Sequence, residues 1–187
     1  MVPLPQADVD TDQIIPKQFL TRIERTGYGE FLFHDWATTE DGTPSSDFFT
    51  NDPDRQGARV LVAGRNFGCG SSREHAVWAI QDWGFGAVIA PSFGDIFRNN
   101  SINVGLLTIE LPEEIVTQLQ DIASNPSAEV TIDLEGQIVQ AGDLAVEFDF
   151  DPDAKQRLLK GLDPIGMTLQ ENDAISAYEA KRATWLT

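Results

Sequence analysis

An α/β fold is predicted, with helices flanking a mixed or parallel central sheet and a small antiparallel β addition after it. Three observations carry this. Strand-like apolar runs alternate with helical periods from Val60 to Ser124, the first run ends in a glycine-rich turn that opens a helix, and beyond Val130 the apolar period switches to two. Alternating strands and helices require crossover connections, which implies a parallel core.

The chain opens with Pro3, Leu4 and Pro5, then runs through a polar stretch holding Asp8, Asp10 and Asp12. Aspartates cap backbone amides readily, so this reads as a turn cluster. Phe19, Leu20 and Ile23 follow in the loop from Lys17 to Tyr28, as pocket lining, ordinary core or an inter-chain contact. His34 to Gly57 is polar, contains Pro44 and Pro53, and shows no period. A stretch of this length is expected to be a lid, a binding loop or a disordered excursion. Phe31, Phe33, Trp36, Phe48 and Phe49 argue that parts of it pack, Trp36 within the chain rather than on a partner.

Val60, Leu61 and Val62 form a run suited to a strand covered on both faces, stopping at Gly64. A helix is expected from Ser71 and Ser72 onward, with Ser71 and Glu74 as a capping box, Ala76, Ala79, Ile80 and Trp83 on one stripe, and Gly84 at its end. A second strand spans Ala87 to Ala90. Phe93 to Asn103 reads as a helix with Phe93, Ile96 and Phe97 on one face, ending near Gly105. Leu106 to Leu111 is a strand, and Pro112 to Ser124 a helix striped by Ile115, Leu119 and Ile122. Val130, Ile132 and Leu134 then alternate with polar residues, Gly136 and Gln137 turn the chain, and strands follow near Ile138 and from Leu144 to Phe150. Helices close the sequence, from about Asp153 to Leu162 and from Asn172 to about Arg182. Residues 1–187 are expected to be one domain, with 34–57 the lid or excursion and 151–187 a helical tail.

The predicted helix start places two hydroxyls and the Arg73 guanidinium at the positive end of a helix, beside Gly68 and Gly70, where a ligand reaches the backbone closely. An anion site is expected there. No lysine follows the glycines as a P-loop requires, and the spacing is not that of a dinucleotide fingerprint. A small carboxylate, gripped bidentately by Arg73, fits better. The competing reading is a structural cap with a solvent-facing arginine.

Thirteen basic against thirty acidic residues give a formal charge of −17, which repels nucleic acid and anionic lipid. An anionic substrate must therefore be held by local positive features. No apolar run approaches the ~20 residues of a spanning helix, and the N-terminus lacks a basic-then-apolar signal pattern, so a cytoplasmic location is expected, with no membrane and no nucleic acid as partner. Cys69 is the single cysteine, which excludes an intrachain disulfide. One thiolate cannot hold an iron-sulfur cluster, which takes about four. His34 and His75 are too few for a metal site and read as hydrogen-bonded structural histidines.

Three motifs in order carry a resemblance that covers nearly the whole chain. They are Asp10-Thr11-Asp12-Gln13-Ile14-Ile15-Pro16, Asn66-Phe67-Gly68-Cys69-Gly70-Ser71-Ser72-Arg73-Glu74-His75, and Pro91-Ser92-Phe93-Gly94-Asp95-Ile96-Phe97. With Gly161 to Gln170 and the tail near Tyr178, they resemble the small subunits of 3-isopropylmalate dehydratase, the swivelling β/β/α domain of the aconitase C-terminal type. The resemblance implies a hydro-lyase of leucine biosynthesis that interconverts 2- and 3-isopropylmalate through an alkene, as one subunit of a two-chain enzyme. It implies a 4Fe-4S cluster carried by the partner large subunit, with no cofactor or metal bound by this chain. Residue by residue, it gives Ser71 the base role, Ser72 a substrate hydrogen bond, and Arg73 the clamp on a substrate carboxylate. A further substrate-binding arginine is expected in the loop, Arg25 favoured over Arg22, while the loop's apolar residues would receive an isopropyl group. Cys69 is assigned no chemistry and is read as small and structural. The alternatives are the small subunit of a related hydro-lyase acting on citraconate, 2-methylmalate or homoaconitate, and a non-catalytic anion-binding module of the same fold.

Overall fold

Four short strands, β1 (Val2–Leu4), β2 (Val60–Ala63), β3 (Ala87–Ala90) and β4 (Leu107–Glu110), pair side by side in that order, all parallel. The structure is a computed structural model and describes residues 1–20, 26–71, 73–162 and 164–182. Every residue of β2 and β3 is buried, as their unbroken apolar sequences require of strands covered on both faces. The register sets Val2 beside Leu61, Leu61 beside Val88, and Leu4 beside Ala63, so these side chains share one face.

Two crossover helices pack against each other, α3 (Glu74–Trp83) between β2 and β3 and α4 (Asp95–Val104) between β3 and β4. On α3 the buried residues are Ala76, Val77, Ala79 and Ile80, which join the core around Leu61 and Val88. Helix α5 (Glu113–Ala123) follows β4 and lies against β1, β2 and β3. Its buried line is Val116, Leu119 and Ala123, with Ile115 and Ile122 at the margins.

Two short helices near the start, α1 (Thr11–Ile14) and α2 (His34–Ala37), complete this layer, α1 packing on α3. The segment 34–57, expected as a lid or excursion, is tied down by aromatic contact. Trp36 stacks on Phe33 with ring centroids 5.4 Å apart, and Phe33 meets Phe49 at 5.8 Å. Phe49 in turn meets Trp83 at 5.5 Å. Arg55 adds a polar latch, its Nη1 donating to the carbonyls of Met1 (3.1 Å) and Ala123 (2.7 Å), and its Nη2 to that of Ser124 (3.0 Å). The cation thus caps the carboxyl end of α5, where helix carbonyls lack partners.

Beyond α5, β5 (Thr131–Asp133), β6 (Ile138–Ala141) and β7 (Leu144–Glu147) form a separate antiparallel sheet, as the period-two pattern anticipated. By contact clustering Met1–Phe150 is one compact unit, and a second begins at Asp151. The second contains α6 (Pro152–Lys160), α7 (Pro164–Gln170) and α8 (Asn172–Glu179).

Three local expectations are corrected. The helix expected at the two serines starts at Glu74, with Arg73 at its cap and no side chain closing it. The Ser71 carbonyl accepts the Arg73 amide at 2.9 Å, so the chain has not yet entered helical hydrogen bonding there. Ile96, placed on the inner face of α4, is 45% exposed, and Phe97 and Ser101 take the inner positions. Helix α7 was not expected, because Gly166 breaks its apolar period.

Candidate active site

Parallel sheets gather functional loops beyond the carboxyl ends of their strands, and three such loops converge here. Asp10 bridges to Cys69, and Phe67 to Phe93, so the chain beyond β1, β2 and β3 stays in lateral contact after the strands end. The Gly68 amide donates to Val9 O at 2.8 Å, the Thr11 amide to Cys69 O at 3.0 Å, and the Gly94 amide to Phe67 O at 2.9 Å. The glycine-rich loop after β2 is therefore held on both sides.

Gly68 takes φ 72° and Gly70 φ 92°, the left-handed region that side chains avoid. At Gly68 the space is closed as well, since a Cβ there would sit 2.3 Å from the Cγ of Phe97. Phe97 is buried and meets Phe67 edge-on at 5.4 Å, so its ring has no room to retreat.

The capping box expected at Ser71 and Glu74 forms instead at the start of α1. The Gln13 amide donates to Asp10 Oδ1 at 2.8 Å, and the Asp10 amide to Gln13 Oε1 at 2.8 Å. The Asp-x-x-Gln spacing was the signal that could have found it. Asp8 fits the turn-cluster reading, accepting from Asn66 Nδ2 at 2.8 Å and pairing with Arg65 at 3.5 Å.

Asp12 does something the sequence reading missed. Its Oδ1 pairs with Nη1 of Arg73, and its Oδ2 lies 3.4 Å from Lys17 Nζ. The Arg73 side chain is 18% exposed, so it is not the solvent-facing arginine of the competing reading. One carboxylate, Asp12, thus bridges two cations, Arg73 and Lys17, on a strongly acidic chain. A guanidinium has five N–H donors in a planar fork, so pairing through Nη1 to Asp12 leaves others for a ligand. Ser71 lies at the surface, its carbonyl accepting from Thr11 Oγ1 at 3.2 Å. Ser72, Arg25, Arg22 and Ile23 lie outside the described residues.

Around this centre the remaining groups are braced. The Cys69 Sγ donates to Asp8 O at 3.4 Å. Burial, then the Asp10 and Asp8 carboxylates, push its thiol pKa up, which disfavours the nucleophilic thiolate. His75 packs against Tyr28 and Trp78, with ring centroids at 5.3 and 4.7 Å. Burial lowers its pKa and the Arg73 charge lowers it further, against an upward pull from Glu74. His34 Nδ1 lies 3.0 Å from Thr38 Oγ1. Tyr28, fully buried, ends the loop from Lys17, its amide donating to Asp82 Oδ2 at 2.9 Å. At the loop's start Phe19 stacks on Phe31 with centroids 4.2 Å apart.

A concavity of about 700 Å³ lies elsewhere, lined among others by Leu32, Thr38, Asn51 and Trp83. Among the described residues its lining includes the carboxylates Glu30 and Asp82. Among the described residues, no three of His, Cys, Asp and Glu come together as metal ligands, and no helix is long and apolar enough to cross a membrane. With a single thiol, itself engaged to Asp8, the residues present do not fit an iron-sulfur cluster.

Comparison with known proteins places these observations. A family model described as the Aconitase C-terminal domain matches residues 1–114, LeuD_N matches 119–152, and the C-terminal domain of the 3-isopropylmalate dehydratase small subunit matches 165–185. The chain is 52% identical over 186 residues to the 3-isopropylmalate dehydratase small subunit of Rubrobacter xylanophilus, spanning 99% of this chain and 92% of that one. It is 55% identical to that of Anoxybacillus flavithermus (96% and 93% of the two chains) and 49% identical to that of Bacillus subtilis (98% and 92%). Among solved structures, 3-isopropylmalate dehydratase from Methanocaldococcus jannaschii superposes with a TM-score of 0.67 at 28% identity, covering 95% of this chain and 96% of that one.

Proposed function

Because the chain belongs to the 3-isopropylmalate dehydratase small subunits, with the fold of the aconitase C-terminal domain, we propose that its glycine-rich loop is one half of an active centre completed by a large subunit. The observation that carries this reading is the surface placement of Ser71 beside a partly buried, oriented Arg73 at the carboxyl edge of the sheet. Neither side chain is sealed inside the chain, Ser71 being exposed and Arg73 partly so.

The reaction removes water from 2-isopropylmalate and adds it back with hydrogen and hydroxyl exchanged between neighbouring carbons. Ser71, as alkoxide, takes the proton from carbon and returns it on rehydration. Arg73 grips a substrate carboxylate through donors not committed to Asp12, and Lys17, on the other oxygen of Asp12, reinforces the positive field. Ser72 adds a hydrogen bond to substrate, and Arg25 a second cationic contact from the loop. This chain offers no Lewis acid for the departing hydroxyl; an iron-sulfur cluster held by the large subunit would supply one.

Magnitudes explain why the second chain is needed. Ser71 lies two residues before the cap of α3, and even directly at a helix N-terminus the dipole contributes at most ~2 kcal/mol, roughly 1.5 pKa units, too little to ionise an aliphatic hydroxyl at neutral pH. The rest requires Arg73, oriented amides and exclusion of water, and exclusion requires a cover over the exposed Ser71.

Arg73→Lys tests the reading. Lysine keeps the charge but loses the planar fork. In the reconstituted enzyme the KM for 2-isopropylmalate is expected to rise about ten- to a hundredfold, a loss of roughly 1.5–3 kcal/mol for a charged hydrogen bond. The wild-type complex should prefer 2-isopropylmalate over citraconate and homoaconitate in the same assay. An unchanged KM would remove Arg73 from the substrate site.

A further inference from the structure

We infer that Thr11 is a positioning residue for the base, its buried hydroxyl fixing the backbone from which the Ser71 side chain projects. This deepens the reading of Ser71 as base and rests on it. Thr11 is 2% exposed, and its Oγ1 donates to the carbonyl of Ser71, sixty positions away in sequence, at 3.2 Å. The buried hydroxyl of Ser101, by contrast, bonds locally to Phe97 O, four residues back in its own helix. Thr11 therefore reaches across the fold.

The segment carrying Ser71 needs such an anchor. It runs through Gly68 and Gly70, whose backbones have the widest freedom, and emerges at the surface. Thr11 holds it twice, by its amide to Cys69 O at 3.0 Å and by its hydroxyl to Ser71 O. The anchor itself is immobilised. Asp10 closes a capping box beneath it, and Ile14 and Ile15 are fully buried in the core. Arg73, two residues beyond Ser71, is held separately by Asp12. Substrate grip and base placement are thus secured by neighbouring but different side chains of α1.

Valine has nearly the shape of threonine and lacks the donor, so Thr11→Val removes the tether while keeping the volume. Proton abstraction needs reacting atoms about 3–3.5 Å apart, and a displacement of about 1 Å can cost ~10²-fold. The penalty should fall on kcat rather than KM.

The test uses the full chain assembled with its large subunit, comparing Thr11→Val, Thr11→Ser, Thr11→Ala and Ser71→Ala for assembly by size exclusion and for turnover of 2-isopropylmalate. Thr11→Val is expected to assemble and to lower kcat about ten- to a hundredfold with KM within about twofold, whereas Thr11→Ser stays within about threefold of wild type. If Thr11→Val does not assemble, the Thr11→Ala and Thr11→Ser pair decides by the same criterion. A kcat for Thr11→Val within about twofold of wild type, or equal losses in the valine and serine variants, would overturn the inference. So would failure of both Thr11→Val and Thr11→Ala to assemble, which assigns Thr11 to folding alone. Ser71→Ala separates the two readings: loss of rate there with an intact Thr11→Val rate overturns only the positioning role, while an intact Ser71→Ala rate overturns the base assignment and this inference together.

Discussion

Replacing Ser71 by alanine is expected to lower kcat of the assembled enzyme by about 10²–10⁴-fold, the usual contribution of a positioned general base, while leaving KM within about threefold. The substitution removes one oxygen from an exposed position. The bonds that hold the loop, from Thr11 Oγ1 and the Arg73 amide, run to the Ser71 carbonyl and survive it. The loss therefore belongs to the chemical step, and co-elution with the large subunit should be unaltered. The substrate binding proposed for Arg73 should be retained, since the substitution does not touch its Asp12 partner. Steady-state kinetics on the reconstituted pair checks both parameters at once. A kcat unchanged by the loss of the hydroxyl would leave the loop a binding element without a base, and the non-catalytic reading would replace the present one.

Gly68→Ala is expected to be strongly destabilising. A residue other than glycine in the left-handed region costs about 1–2 kcal/mol. Overpacking adds about 1–3 kcal/mol where neighbours cannot yield. Both apply at φ 72° with Phe97 Cγ 2.3 Å from the new Cβ and Cδ2 at 2.6 Å. Together they amount to about 2–5 kcal/mol, a large share of the ~5–15 kcal/mol that holds a domain together. For a chain of this length the melting temperature should drop by roughly 5–15 °C. Urea or thermal unfolding of the isolated chain measures it. A midpoint shift corresponding to less than about 0.5 kcal/mol would mean that the Phe97 ring can move aside.

How much of this was legible in the sequence depended on whether a local pattern had one physical solution. The strands β2 and β3 were readable because their short apolar runs end at Gly64 and Pro91, as strands covered on both faces commonly do. The antiparallel sheet announced itself by alternation, with Val139 and Ala141 buried and Gln140 exposed between them. The capping signal had two solutions. Ser71 with Glu74 and Asp10 with Gln13 share one spacing, and the fold uses the second, because the Ser71 carbonyl is committed to Thr11 and the Arg73 amide. On α4, spacing alone could not decide between Ile96 and Ser101 for the inner face, since the hydroxyl is satisfied within its own helix and can be buried cheaply.

The candidate site showed in the sequence as residue types, and its wiring did not. Ser71 and Arg73 stand out as hydroxyl and guanidinium beside glycines. Their partners Thr11 and Asp12 lie some sixty residues earlier and meet them only because β1 pairs with β2 in parallel register. No local period encodes that meeting. Residues 34–57 were opaque for a related reason. Their order comes from single aromatic contacts and the Arg55 latch rather than from any repeated pattern.

The most direct test of a centre divided between two chains is turnover of 2-isopropylmalate measured anaerobically for this chain alone, for the cluster-loaded large subunit alone, and for their mixture. No turnover is predicted from either alone, with activity rising as this chain is titrated in and levelling once the large subunit is saturated. Isomerisation by this chain in the absence of any partner would contradict the account.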